Sequence, residues 1–158
     1  MGKTTIIVEP GLPFIEIHRE FKTTPEFLLR AFTEPDLFVQ WVGPRRLTTT
    51  IEHFDARNGG TWRYIATDTD GSQYGFRGVF HGEPSVDGIT QTFEYEGAPG
   101  QVALETMTFE PKGDTTIIHQ KSVYPSVEAR DAMASSGMES GVTEGNERLD
   151  ELIARLAG

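Results

Sequence analysis

The sequence contains no cysteine, which excludes disulfides and thiolate chemistry outright. No apolar run approaches the roughly 20 residues that cross a bilayer. The opening residues, MGKTTIIVEPGLPF, lack the apolar core of a secretory signal. Positive charge is in short supply, with 14 Lys and Arg against 24 Asp and Glu and a net charge of −10. Such a surface repels phosphate backbones and anionic lipid heads, so neither nucleic acid nor a membrane is expected as a partner. The sequence also lacks a P-loop, a dinucleotide-binding glycine fingerprint and a G-x-S-x-G elbow. No internal repeat, low-complexity tract or linker divides it. The expectation is a cytoplasmic protein.

What is present is an ordinary globular composition, 37% hydrophobic and 24% charged over 158 residues. That length suits one domain spanning residues 1–158, since two would each have a thin core. Residues 13–21, PFIEIHREF, set Ile15, Ile17, Arg19 and Phe21 against Glu16, His18 and Glu20, the alternation of a strand. Thr24 and Pro25 then form a helix start, with Phe27, Leu28, Ala31 and Phe32 as its apolar stripe. Pro35 ends that helix and opens a second short one through Gln40.

From Leu47 the period changes to two. Strands are expected in LTTTIEHFD, TWRYIAT, QYGFRGVFHG, ITQTFEYE, QVALETMTFE and TTIIHQKSVY, separated by turn signals such as Asn58-Gly59-Gly60 and Asp87-Gly88. Short connections imply antiparallel pairing. Ser126 then caps one long helix over 127–156. This order specifies an α+β fold. A curved antiparallel sheet of six or seven strands wraps around the C-terminal helix, and two short helices follow the first strand. The space between sheet and helix is the expected ligand site. The N-terminal TTIIV could pair with a sheet edge, its own or a partner's, so monomer and homodimer are both open.

Three stretches carry a resemblance: TEPDLFVQWVGP (33–44), DARNGGTWRY (55–64) and GMESG (137–141). Together they resemble the family named for the activator of the heat-shock chaperone ATPase, within the helix-grip superfamily of START-like and polyketide-cyclase proteins. The resemblance runs over about residues 14–156. It implies the helix-grip fold; for function it implies a hydrophobic-ligand carrier, a chaperone-interacting module with a role in stress response, or a cyclase-like enzyme. Where members often have two aromatic residues before Gly-Pro, this sequence has Trp41 followed by Val42. Where members tend to be bulky after the GMESG-like segment, it has Thr143 to Gly145. Both departures would reshape a pocket rather than remove it.

Strand parity puts Trp62, Tyr64, Phe76, Phe80, Phe93, Tyr95, Met107, Phe109 and Ile118 on the concave face. From the helix, Met138, Val142, Leu149, Ile153 and Leu156 recur at three and four. Most of these are expected to be core. The candidate ligand-binding set is Arg19, Trp41, Trp62, Tyr64, Phe76, Phe80, Phe93, Tyr95, Met107, Ile118, Met138, Gly141 and Val142. Arg19 shares parity with apolar neighbours, so its guanidinium needs a carboxylate, with Glu139 and Glu144 as candidates, or an anionic ligand. Asp55 and Arg57 are read as a turn pair.

His18, His53, His81 and His119 fall on four strands without metal-ligand spacing, so no metal and no cofactor is expected. By parity His18 and His119 face away from the cavity. Catalysis would rest on Arg19, Tyr64 and Tyr95 meeting in one pocket. The favoured reading is a binder of a small hydrophobic molecule, followed by a chaperone-interacting module and then by an enzyme. Gly137, Gly141 and Gly145 fall four apart on one side of the expected helix, each costing about 1 kcal/mol relative to alanine. They mark either a close approach to the strands or space left for a ligand.

Overall fold

The computed structural model describes residues 2–157. Its elements in chain order are β1 (Thr5–Ile7), β2 (Phe14–Phe21), α1 (Pro25–Thr33), α2 (Pro35–Phe38), β3 (Thr48–Phe54), β4 (Thr61–Thr67), β5 (Gln73–Val79), β6 (Ile89–Tyr95), β7 (Ala103–Lys112), β8 (Thr115–Val123), α3 (Val127–Ala134) and α4 (Met138–Ala157). The strands form one antiparallel sheet in the order β1-β2-β8-β7-β6-β5-β4-β3. It has eight strands rather than six or seven, because Thr5–Ile7 pairs with this chain's own β2 at the edge.

The six strands β3 to β8 run as a meander, joined by turns too short for any other pairing. β2 lies beside β8 while β3 occupies the far edge, so α1 and α2 must carry the chain across the whole sheet. Thr24 caps α1 by accepting from the Phe27 amide at 3.1 Å, and Pro25 fills the first helical position, as the sequence indicates. Pairing is sparsest between β5 and β6, where the strand register is Phe76↔Tyr95 and Arg77↔Glu94, with an isolated bridge at Phe80↔Gln91. A bulge at Glu52 bends β3. Gly78 does more than permit a kink: a Cβ there would fall 2.6 Å from Cζ2 of Trp62, whose indole lies over it.

The expected single helix over 127–156 is two helices. Ser126 caps α3 through the Ala129 amide at 3.0 Å, as expected. The hydroxyls of Ser135 and Ser136 then donate back to the Asp131 and Met133 carbonyls, at 2.8 and 2.6 Å. Gly137 follows at φ +89°, a left-handed conformation that stops α3 and redirects the chain into α4. Gly137 therefore lies outside both helices, and only Gly141 and Gly145 share a face of α4.

The core lies between the concave face and α1, α2 and α4. Phe21, Leu28, Ala31, Phe80, Leu149 and Leu152 are almost fully enclosed there. Each buried Leu or Phe of this kind contributes about 1.5–3 kcal/mol. Leu152 takes the place that the sequence pattern gave to Leu156, which is 53% exposed. A second cluster joins Ile15, Ala103 and Tyr124 to Met133 and Met138. Beside it Arg130, 1% exposed, donates to the carbonyls of Glu9 and Phe14 at 3.0 and 2.9 Å and ties the N-terminal segment to α3.

Candidate ligand cavity

Sheet and α4 do not close completely on each other. Between them lies a cavity of about 290 Å³. Its walls follow from register. One row of side chains crosses the sheet as Gln91, Glu105, Ser122 and Ile15, and a second as Ile89, Met107, Gln120 and Ile17. Arg19 lies in a third row with Ile118 and Phe109. The distal wall is aromatic. Trp62 and Tyr64 stack at 5.6 Å, and Phe38 meets Tyr64 edge-on at 5.5 Å and Trp41 at 5.4 Å. Trp41 is fixed there by its indole N–H, which donates to the Ala31 carbonyl at 3.0 Å.

The helix side of the cavity is small. Gly141 and Gly145 line it, with Met138, Val142 and Asn146. The two glycines do different work. A Cβ at Gly145 would lie 3.3 Å from the Gly43 nitrogen and 3.4 Å from the Trp41 carbonyl oxygen, so this turn of α4 packs against the backbone after α2. Arg148, one turn on, clamps the same segment by donating to the carbonyls of Val42, Gly43 and Gln40 at 3.0, 3.1 and 3.2 Å. At Gly141 a Cβ would meet only Pro44 Cδ, at 3.5 Å, an ordinary contact. The close approach is thus to a loop rather than to strands, and it concerns Gly145 alone.

Of the sequence candidates, the structure brings Arg19, Trp41, Trp62, Tyr64, Phe93, Met107, Ile118, Met138, Gly141 and Val142 around this one space. It does not bring Phe76, Phe80 or Tyr95 there. Phe80 is core at 1% exposure, and Phe76 is packed between Tyr64, Phe93 and Tyr95. Tyr95 lines a separate depression with Tyr74 and Gly75, so Arg19, Tyr64 and Tyr95 do not converge as the cyclase-like reading required.

Arg19 faces inward at 4% exposure, but neither Glu139 nor Glu144 pairs with it. Asp150 does, in a two-pronged contact of 3.0 and 2.6 Å. The Phe21 ring lies 4.6 Å from the guanidinium carbon. Glu144 instead accepts from the Arg45 amide at 2.9 Å. Glu139, Glu144 and Asp150 all belong to α4, and it is Asp150, toward its C-terminal end, that reaches β2.

Sequence reasoning missed the polar side of the cavity. Glu105 Oε1 accepts from Gln91 Nε2 at 3.0 Å, while Oε2 accepts from the Ser122 hydroxyl at 2.9 Å and from Gln120 Nε2 at 3.4 Å. Burial pushes the Glu105 carboxyl above the usual range, and the Gln91 and Ser122 hydrogen bonds offset part of that rise. Burial, with the nearby Glu105 charge, also pushes Tyr64 and Tyr124 upward, so both phenols keep their protons at neutral pH. The parity that placed Met107 and Phe109 on the concave face also places Glu105 there.

On the opposite face His18 and His119 do sit outside the cavity. They pair across β2 and β8 with their Nδ1 atoms 2.8 Å apart, which strand assignment alone did not show. Asp55 and Arg57 form a 2.8 Å ion pair in the turn before β4.

Comparison with known proteins places this architecture. Among curated proteins none matches the chain. Among solved structures, a protein from Rhodobacter sphaeroides superposes with a TM-score of 0.88 at 27% identity, covering 97% of this chain and 99% of that one. A protein from Arthrobacter aurescens gives 0.86 at 24%, with 96% and 91% covered. The AHSA1 protein from Silicibacter pomeroyi gives 0.73 at 20%, with 89% and 97% covered, a likeness of fold. The family model described as "Activator of Hsp90 ATPase homolog 1-like protein" matches residues 22–154, a span that takes in α1, the meander and nearly all of α4. By that match, and by the helix-gripping sheet that accompanies it, the chain belongs to the family of activator of Hsp90 ATPase homolog 1-like proteins.

Proposed function

We propose that this protein binds a small hydrophobic or amphipathic molecule between the sheet and α4. The observation that carries the reading is the cavity of about 290 Å³, walled by aromatic rings on one side and kept open by Gly141 on the other. A volume of that size fits the lower range of small-molecule sites. Rigid aromatic walls supply contact area without loss of side-chain entropy on binding. The same proposal has the protein acting in the cytoplasm, as a monomer or homodimer, which cell fractionation and size-exclusion chromatography would check.

The test is native mass spectrometry of the purified protein together with a thermal-shift screen of hydrophobic compounds. A ligand present at 100 times its Kd raises stability by about 2.7 kcal/mol. A panel of aromatic amphiphiles that leaves the melting temperature unchanged at millimolar concentration refutes the proposal.

The family description supports a second reading, contact with a heat-shock chaperone. A pull-down against Hsp90 that recovers complex, and that survives Gly141→Leu, would favour a surface interaction over the cavity.

A further inference from the structure

The cavity has two charged features, and they are not equivalent. At one, Arg19 and Asp150 neutralise each other in a two-pronged ion pair. At the other, Glu105 projects from β7 toward the cavity, held by three neutral donors, Gln91, Gln120 and Ser122. Three neutral donors turned toward one carboxyl favour its acceptor-only, ionised form and offset part of the rise that burial causes. Among the described residues Glu105 forms no ion pair. An ionised carboxylate in an enclosed site calls for a positive partner, because attraction between unit charges grows several-fold as the effective dielectric falls from that of water.

We propose that the cavity selects a ligand with a protonated amine head, seated against Glu105, and an aromatic or aliphatic body directed toward Trp62 and Tyr64. This rests on the ligand-binding reading above and gives that ligand its chemical class. The geometry supplies each requirement. Gln91, Glu105 and Ser122 fall in one cross-strand row, and each has strand backbone on both sides, so the head-group site is rigid. Trp62 and Tyr64, stacked on each other at 5.6 Å, give the apolar body a rigid aromatic wall. The net charge of −10 concentrates cations near the surface and repels anionic amphiphiles.

The groups near Glu105 from neighbouring elements are Gln91 of β6, Gln120 and Ser122 of β8, Tyr124 beyond β8 and Tyr64 of β4, none of them cationic. The cation lining the same cavity, Arg19 of β2, lies two side-chain rows away and is paired with Asp150. Proton binding to Glu105 therefore competes directly with amine binding. Burial lifts the carboxyl above its ordinary range, so that competition extends to higher pH than for an exposed glutamate.

The experiment is isothermal titration calorimetry of the whole chain with three probes that share one skeleton: phenylbutylamine, phenylbutanol and phenylbutyrate. The amine is expected to bind about tenfold or more tighter than the alcohol, and the butyrate weakest of the three. Glu105→Gln keeps the shape and removes the charge, with one acceptor oxygen exchanged for an amide NH2 that the neighbouring Gln and Ser side chains can accept by reorienting. It is expected to erase the preference for the amine while leaving phenylbutanol within about threefold of wild type. In wild type the amine's affinity falls as pH is lowered through the Glu105 titration, and the alcohol's does not. The wild-type comparison and its pH dependence decide the matter even if the variant folds poorly. Phenylbutanol or phenylbutyrate binding as well as the amine overturns the amine assignment and leaves the cavity reading standing. Binding of none of the three overturns both.

Discussion

Asp150→Asn separates the structural role of Arg19 from a ligand-binding one. In the wild-type protein the Arg19 guanidinium, 4% exposed, is held by Asp150 at 3.0 and 2.6 Å and donates to the Glu20 carbonyl at 2.8 Å. The substitution leaves a buried cation with one neutral acceptor where it had a carboxylate. Removing one member of a fully buried pair costs about 3–5 kcal/mol. Asp150 is not fully buried, its side chain being 24% exposed, so water screens part of the loss. Discounting for that gives an expected cost of about 2–3 kcal/mol. For a chain of this size that is a fall of about 5–10 °C in melting temperature.

Urea denaturation followed by tryptophan fluorescence and by circular dichroism would measure it, with an unchanged m-value confirming that the unfolded state is not the source. Arg19→Met removes the cation itself and leaves Asp150 where water can reach it, so about 1 kcal/mol is expected. The double variant completes a cycle whose coupling should reach about 1 kcal/mol or more. A cost for Asp150→Asn below about 0.5 kcal/mol would refute the reasoning. It would mean that the guanidinium is not held by its carboxylate and remains available to an anionic ligand.

Gly145→Leu pushes a side chain into the backbone of Trp41 and Gly43 and should destabilise by about 2 kcal/mol or more, measured by thermal melting. Gly141→Leu meets only Pro44 and fills the cavity, so the protein should gain about 1 kcal/mol or more in stability while probe binding in calorimetry is lost. Equal destabilisation by both substitutions would show that α4 sits closer to the sheet than described. Trp41→Phe removes the hydrogen bond to the buried Ala31 carbonyl and should cost about 2 kcal/mol in urea denaturation, from an unsatisfied acceptor and lost volume together. Glu105→Gln should raise the melting temperature without ligand in a pH-dependent way. Burial lifts the folded carboxyl above its unfolded value, so its favourable contribution is complete below about pH 4.3 and is lost as pH rises through the folded value. The gain over wild type should be near zero at the acid end and grow toward neutrality. A gain that shrinks as pH rises would contradict the buried placement.

The sheet was legible because its strands alternate cleanly and their turns carry Gly, Asn and Asp at fixed places. The caps Thr24 and Ser126 were legible for a similar reason, since short hydroxyl side chains before an apolar helical pattern satisfy free amides. Two features were harder. The α3–α4 break hides in Ser135-Ser136-Gly137, where the spacing of glycines suggested a helix face. The alternative signal was local: hydroxyls that can bond back to helix carbonyls, followed by a residue free to take φ +89°. Glu105 was passed over because on β7 parity was applied to the apolar residues only. Applied to every residue of β7, it sets a carboxylate between apolar neighbours on the concave face, and a charge there needs either a partner or a purpose.

The glycines of α4 follow from the same geometry. The tightest backbone approach of α4 is at Gly145, where it touches the loop after α2 and Arg148 secures it. One turn earlier the helix is already lifting away, and Gly141 has almost nothing beside it. A bulky residue there would be accommodated without strain, and burial of an apolar side chain in empty space would stabilise the fold. Glycine at that position gives up both that burial and about 1 kcal/mol of helix propensity. The sacrifice is accounted for if the space is occupied by something other than the chain, and the paired measurements on Gly141→Leu, stability and binding in the same preparation, decide whether it is.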